Sequence, residues 1–171
     1  ADESADGSLL ESHDDYLLIE TNRDAPKGRV IALDPQAAGE TDWRDVIPES
    51  EHVLNASSSA GYLFAEHMID GISQVKQYDL EGNLIRDIEL PDVGSASGFG
   101  GKKEQENVFF TFTNYRIAPA IFSLDPESGD VSLYRASKSP FDGNDYQTEQ
   151  VFYTSKDGTR VPMIITYAKG T

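Results

Sequence analysis

The chain has 171 residues, 38% hydrophobic and 10% aromatic, enough to build a packed core and too apolar for a disordered segment. Against 14 Lys and Arg stand 30 Asp and Glu, a net charge of −16 that argues against nucleic acid and anionic membrane surfaces and reads as a well-solvated exterior. Cysteine is absent, which excludes disulfides, thiolate metal ligands and a thiol nucleophile.

The opening stretch, ADESADGSLLESHDD, lacks the basic and apolar regions of a signal peptide and has no initiator Met, which fits a start made by processing or by design. No apolar run approaches the roughly 20 residues that cross a bilayer. A soluble protein of the cytoplasm or periplasm is expected, with the compartment left open.

From Tyr16 onward the chain repeats. Tyr16 to Pro35 (YLLIETNRDAPKGRVIALDP), Tyr62 to Asn83 (YLFAEHMIDGISQVKQYDLEGN) and Val108 to Asp130 (VFFTFTNYRIAPAIFSLDPESGD) each run from an apolar strand through a turn into a second apolar strand. The second strands end at Asp34, Asp79 and Asp125, spaced by 45 and 46 residues. A third short strand follows each Asp turn: WRDVIPES, LIRDIELP and VSLYRAS. HVLNASSSAG and VGSASGFGG then read as fourth strands leading into the next unit. Four short antiparallel strands repeating near 45 residues are the pattern of a β-propeller blade. Asp34, Asp79 and Asp125 are expected to be structural, each carboxylate accepting backbone N–H groups two residues on. The blades fall at about 15–60, 61–105 and 106–140. Propellers close with about 4 to 8 blades, so three imply neighbours elsewhere in a longer protein. Three open blades would leave several hundred Å2 of apolar face in water, a cost on the order of 10 kcal/mol.

Several motifs fail at fixed positions. In GSASG, Gly94 to Gly98, a nucleophile elbow would need Ser where Ala96 stands. In GFGGKK, a phosphate-binding loop would need Gly at Ala96 and Ser or Thr at Lys103. These glycines read instead as permitting close packing of a strand near the propeller axis. His13, His52 and His67 share no ligand spacing, although Glu66 and Asp70 flank His67, so no metal and no cofactor are expected. Trp43, at the start of a short strand, reads as a buried anchor.

Ser137 to Gln150 (SKSPFDGNDYQTEQ) has the composition of a linker, placed at 141–150, with Tyr146, Gln147 and Gln150 as interdomain hinge residues. At 151–171 a hairpin is predicted. Val151–Tyr153 and Val161–Ile165 flank Asp157–Gly158, a pair suited to the positive φ of a type I′ turn. Pro162 is tolerable there on an edge strand.

TNRDAPKGRVIALD, PDVGSASGFGGKKEQENVFFTFTNYRIAPAIFSLD and DYQTEQVFYTSKDGTRVPMIITYAKGT together resemble the prolyl oligopeptidase family of serine peptidases, from about Ser8 to the end. The resemblance implies a seven-bladed propeller inserted into an α/β-hydrolase domain with a Ser, Asp and His triad, the propeller admitting only short peptides. The expected fold is therefore all-β: the last three blades (1–140), the linker, and the first hairpin of the returning hydrolase domain. It implies that the remaining blades and the hydrolase domain are the partners and short proline-containing peptides the substrate. No catalytic, substrate-binding or metal residue of the family falls on this stretch. The proline-specific branch is favoured over the sibling that cleaves after basic residues, and both over a non-enzymatic binding propeller. Exposed blade edges would also suit an edge-to-edge pairing of two such chains.

Overall fold

Along Val108–Thr113 burial alternates with a period of two, Val108, Phe110 and Phe112 being buried, as on a strand that faces a core on one side. Burial alternates likewise along Ile72–Tyr78, where Ser73, Val75 and Gln77 are the buried members. In the computed structural model, which describes residues 6–37, 43–139 and 142–170, such strands build three four-stranded antiparallel sheets and a separate hairpin.

The first sheet is β1 (Gly7–His13), β2 (Tyr16–Thr21), β3 (Arg29–Leu33) and β4 (Arg44–Ile47), paired in sequence order. The second is β5 (Leu54–Ser59), β6 (Tyr62–Ile69), β7 (Ile72–Tyr78) and β8 (Leu84–Asp87). The third is β9 (Ser95–Ser97), β10 (Val108–Thr113), β11 (Ala120–Leu124) and β12 (Val131–Arg135). The sheets do not close on one another, in keeping with a partial propeller. β13 (Tyr146–Thr154) and β14 (Arg160–Ala168) form the hairpin, preceded by a 3-10 turn at Gly143–Asp145.

The strand grouping corrects the sequence reading. HVLNASSSAG does not close the first sheet: β5 opens the second, pairing with β6 from Leu54↔His67 to Ser59↔Tyr62. The cause is the turn between them, where Ala60 (φ 54°) and Gly61 (φ 79°) are both left-handed, the geometry that folds a strand directly back on its neighbour. β9 likewise opens the third sheet, against Thr111–Thr113. The first sheet gains its fourth strand from Gly7–His13, which the reading from Tyr16 omitted.

The core lies between sheets. Leu18, Val30, Ala32, Val46 and Ile47 meet Leu54, Ala56, Leu63, Ala65 and Leu80 in one cluster. Phe64, Val75 and Ile88, on the other face of the second sheet, join Phe99, Val108, Phe110, Phe112, Phe122 and Leu124 in another. Ring centroids of Phe64 and Phe99 are 5.7 Å apart, and those of Phe99 and Phe110 4.5 Å, an offset-stacked ladder crossing the seam. Trp43 is not a buried anchor. It is half-buried, and the Arg23 guanidinium lies over its ring at 5.5 Å.

Candidate functional site

Strands that alternate in direction send their connections to two opposite ends. Asp34, Asp79 and Asp125 lie at one end, with the β1–β2 and β5–β6 turns. At the other lie the β2–β3 loop, the β6–β7 turn at Asp70–Gly71, the β8–β9 segment, the β10–β11 turn at Asn114–Ile117, and the hairpin.

At the Asp end, Asp34 Oδ1 accepts the Gln36 N–H at 2.8 Å. Asp79 Oδ1 accepts from Glu81 N at 3.0 Å and Asn83 N at 2.8 Å, while Oδ2 accepts from Asn83 Nδ2 at 2.7 Å. Asp125 Oδ1 accepts from Glu127 N at 2.8 Å and Ser128 N at 3.2 Å. Partial burial raises the Asp79 carboxyl, but the Asn83, Glu81 and Gly82 donors outweigh it and hold the group below the usual carboxylate range. The Ser128 and Glu127 amides lower Asp125 in the same way. The Asp79 and Asp125 turns also dock on the preceding sheet: Arg44 donates to Glu81 O at 3.3 Å, and Arg86 to Glu127 O at 2.7 Å.

At the hairpin end, Asn114 Oδ1 accepts from the N–H groups of Arg116 (3.0 Å) and Ile117 (2.8 Å) and so shapes the β10–β11 turn. Its Nδ2 donates to Asp92 Oδ2 at 2.9 Å and to Val93 O at 2.8 Å. Arg116 Nε donates to the same Asp92 oxygen at 2.6 Å, a charge-assisted bond between two largely buried side chains. The 3-10 turn lies against this network, because a Cβ on Gly143 would stand 1.8 Å from Arg116 O.

The expected hinge residues are strand residues. Tyr146 stands opposite Ala168, Gln147 opposite Tyr167 and Gln150 opposite Ile164, so the irregular linker ends before Tyr146. Its polar composition misleads because polar cross-strand pairs hold this part of the hairpin. Thr148 and Thr166 hydroxyls lie 2.9 Å apart, and Tyr167 OH donates to Glu149 at 3.0 Å while receiving the Gln147 amide. Gln150 instead reaches the second sheet, donating from Nε2 to Asp70 O at 2.8 Å.

Asp157 and Gly158 form the hairpin turn, but not of type I′. Gly158 is left-handed at φ 87° and Asp157 is not. Gly158 N bonds Ser155 O at 3.0 Å and Ser155 N bonds Thr159 O at 2.8 Å, a type I turn closed by a glycine bulge. Asp157 Oδ1 accepts the Ser155 hydroxyl and the Thr159 N–H, which together hold its carboxyl down to about 2. The geometry needs one positive φ, not two.

Sequence reading named Glu66 only as a neighbour of His67 and gave Glu20 no role, yet both are carboxylates set between sheets. Glu20 accepts the Ala56 N–H at 3.1 Å, and Glu66 faces the Phe99 N–H. The signal was present in the shared Tyr-Leu-x-x-Glu of Tyr16–Glu20 and Tyr62–Glu66. Of the histidines, His13 bonds Glu81 across sheets at 3.0 Å, and His67 bonds Val53 O at 3.1 Å. Among the described residues no group of three His, Asp or Glu side chains could hold a metal ion, and no helix is long and apolar enough to cross a membrane.

Comparison with known proteins places these features in a family. The sequence model described as "Prolyl oligopeptidase, N-terminal beta-propeller domain" matches residues 2–137. The prolyl endopeptidase of Elizabethkingia meningoseptica is 42% identical over 163 residues, covering 95% of this chain and 23% of that protein. The structure of prolyl oligopeptidase B from Galerina marginata superposes with a TM-score of 0.85 at 28% identity, over 98% of this chain and 24% of that one. A prolyl endopeptidase structure, studied for inter-domain dynamics in catalysis and specificity, superposes with a TM-score of 0.80 at 31% identity, over 97% and 25%. The chain thus spans about a quarter of the length of the relatives it matches.

Proposed function

Because the chain belongs to the prolyl oligopeptidase family, we propose that it is part of a prolyl endopeptidase, a serine peptidase that hydrolyses peptides on the carboxyl side of proline. The 42% identity to the Elizabethkingia enzyme across 95% of the chain carries this reading. Residues 1–140 belong to the propeller, and the hairpin that starts at Tyr146 opens the hydrolase domain, whose docking surface is the end of the sheets that bears the hairpin.

The chemistry is acyl transfer. A serine that gives its proton to histidine attacks the carbonyl carbon of the proline residue and donors stabilise the oxyanion; the C–N bond then breaks, the amine leaves with the proton from histidine, and water hydrolyses the acyl-serine ester to free the acid and regenerate the serine. The triad is assigned to the rest of the protein and to no residue here. This stretch supplies wall and filter: sheets bonded turn to sheet at one end and docked to the hairpin at the other, a rigid screen through which only short peptides pass. Alone, it is inactive.

Its partners are the remaining blades and the hydrolase domain. The outward face of the third sheet, with Phe109 41% and Tyr134 61% exposed and their rings 4.8 Å apart, is where a neighbour belongs. In the isolated chain two copies pair edge to edge through their exposed blade edges, and a clean monomer in light scattering would end that idea.

The test of function is a peptide assay on the full-length protein, with fluorogenic substrates carrying Pro, Lys or Arg before the scissile bond. Cleavage after Pro alone is expected. Preference for Lys or Arg would transfer the protein to the sibling branch, and no cleavage with an intact fold would leave a binding propeller.

A further inference from the structure

Each sheet ends at one edge in β4, β8 or β12, strands bonded to a neighbour on one side only. An edge strand offers its free N–H and C=O groups to any further strand, and charge is a common protection against that. β4 (RDVI) carries Asp45 at its middle, so pairing with its own copy would set carboxylate beside carboxylate. β8 (LIRD) has Glu81 before it, Asp87 at its end and Glu89 beyond, so an antiparallel copy would again bring acid to acid. β12 (VSLYR) lacks this protection.

Along β12 only Val131 is half-buried, and the other four residues are exposed, Leu133 at 56%. Asp130 O accepts the Asp125 N–H at 2.9 Å. By alternation Ser132 also turns its backbone groups to β11, while Val131 and Leu133 turn theirs away from the sheet. The charges around this edge are sorted by end. Glu127 and Asp130 precede the strand, Arg135 closes it and Lys138 follows, with no carboxylate from Val131 to Ser139. Among the described residues neither Arg135 nor Lys138 makes an ion pair. The register shift after Leu133 sets Arg135 opposite Ile121, on the face where Ser132 stands opposite Ser123, and Asp130 shares that face by alternation. An antiparallel copy of β12 therefore meets acid with base at both ends, in a chain whose net charge of −16 otherwise keeps copies apart.

We propose that β12 is the docking edge for a second copy of the chain: the two strands pair antiparallel about a two-fold axis at Leu133, with Asp130 of each copy beside Arg135 of the other. Leu133 then exchanges both backbone bonds with its own copy, and the two third sheets join into one of eight strands. The proposal rests on the edge pairing stated for the isolated chain, gives it one strand and one register, and extends it to the whole protein. There the faces of the third sheet go to other blades and the β12 edge stays open. A pairing of this length buries less than the roughly 800 Å2 per partner of a stable interface, so the dimer is weak and depends on concentration.

The experiment is sedimentation velocity on the full-length protein over a concentration series reaching about 100 µM, where a weak pair of this size is populated. Wild type is expected to show a monomer–dimer equilibrium. Arg135→Glu sets a carboxylate beside Asp130 twice in each dimer and is expected to raise the dimer Kd about 10-fold or more, and Asp130→Arg to do the same. The double variant, Asp130→Arg with Arg135→Glu, restores opposite charges and is expected to return the Kd to within about 3-fold of wild type. Leu133→Cys is expected to cross-link on oxidation, because paired Cα atoms at the axis stand about 5.5 Å apart, a distance that a disulfide spans. Ile85→Cys on β8 is the control and stays uncross-linked. A monomeric full-length protein overturns the pairing, even where the isolated chain associates through another edge. A dimer that Arg135→Glu leaves unchanged, or that the double variant does not restore, overturns the register. Neither readout depends on peptide cleavage, so a protein that pairs this way without cleaving after proline loses the functional reading and keeps the docking edge.

Discussion

Glu20 and Glu66 make the same contact 46 residues apart: each projects from the second strand of its sheet and faces a backbone N–H of the next sheet, that of Ala56 or of Phe99. Arg44 and Arg86 pair with them at the Asp end, each donating to a carbonyl of the next sheet's turn. One acid and one base therefore fasten each sheet to its successor, around an apolar centre. In the third sheet the matching register positions carry Thr111 and Ser132, and both fasteners lapse. The outward face there presents Phe109 and Tyr134 instead.

Stability should respond to pH through Glu66. Burial raises its carboxyl from an ordinary 4.5 to about 7, against the lowering effect of the Phe99 amide and the Asn55 side chain, with nearby Glu20 adding to the rise. The folded chain thus holds a proton between those values that the unfolded chain has released. Stability gains as pH falls from 7 toward 4.5, and that gain is lost as pH rises through 7. Below about 4 the opposite term takes over, because Asp79, Asp125 and Asp157 are held low in the fold and must be protonated. Glu66→Gln, a permanently neutral mimic, should stabilise the chain at pH 8 by about 1–2 kcal/mol once remaining solvent screening is discounted. It should also flatten the curve between pH 5 and 8. Urea unfolding across that range checks it, and an unchanged slope refutes it.

Asp79 supports its turn with three accepted bonds, so Asp79→Ala should cost about 1–2 kcal/mol. Asp34, with one such bond among the described residues, should cost less when replaced by Ala. Equal losses in a denaturant titration would show that the turns are fixed by their backbone alone.

Arg86 lies against Gly129 as well as bonding Glu127 O, so its stem packs where its head bonds. Arg86→Met keeps much of the stem and removes the charge-assisted bond, and should cost about 1 kcal/mol. Arg86→Ala should cost more. Coincident melting of the two variants would assign the whole effect to packing.

Legibility of the sequence followed the range of the interactions. The Asp turns and the repeat near 45 residues are local: a carboxylate two residues from the amide it accepts, a strand beside the next strand. The phase of the repeat was not local. Whether Leu54–Ser59 ends one sheet or opens another depends on Ala60, a non-glycine residue in a left-handed turn, and nothing in composition marks that. Polar composition places Gln150 in a linker because polar residues usually mean loops, yet here hydroxyl and amide pairs hold a strand together. Glu20 and Glu66 recur in plain view, but their role depends on a sheet 36 residues away for the first bond. Two glycines that look alike in sequence, Gly82 and Gly158, also differ only through what the fold puts beside them.

Both have a positive φ, 93° and 87°, so a side chain strains the backbone at either position. At Gly158 nothing lies within 4 Å of an added Cβ, and Gly158→Ala should cost only the conformational term, about 1 kcal/mol. At Gly82 an added Cβ would stand 2.2 Å from Val46 O and 2.9 Å from Val46 C, main-chain atoms of the preceding sheet that cannot rotate away. Gly82→Ala must therefore push the β7–β8 turn off β4, loosening the Arg44 bond to Glu81 O and opening the first seam. Its cost should exceed that of Gly158→Ala by about 2 kcal/mol or more. Thermal melts of the two variants side by side test this. Equal losses would mean that the first two sheets are not packed turn against strand as described.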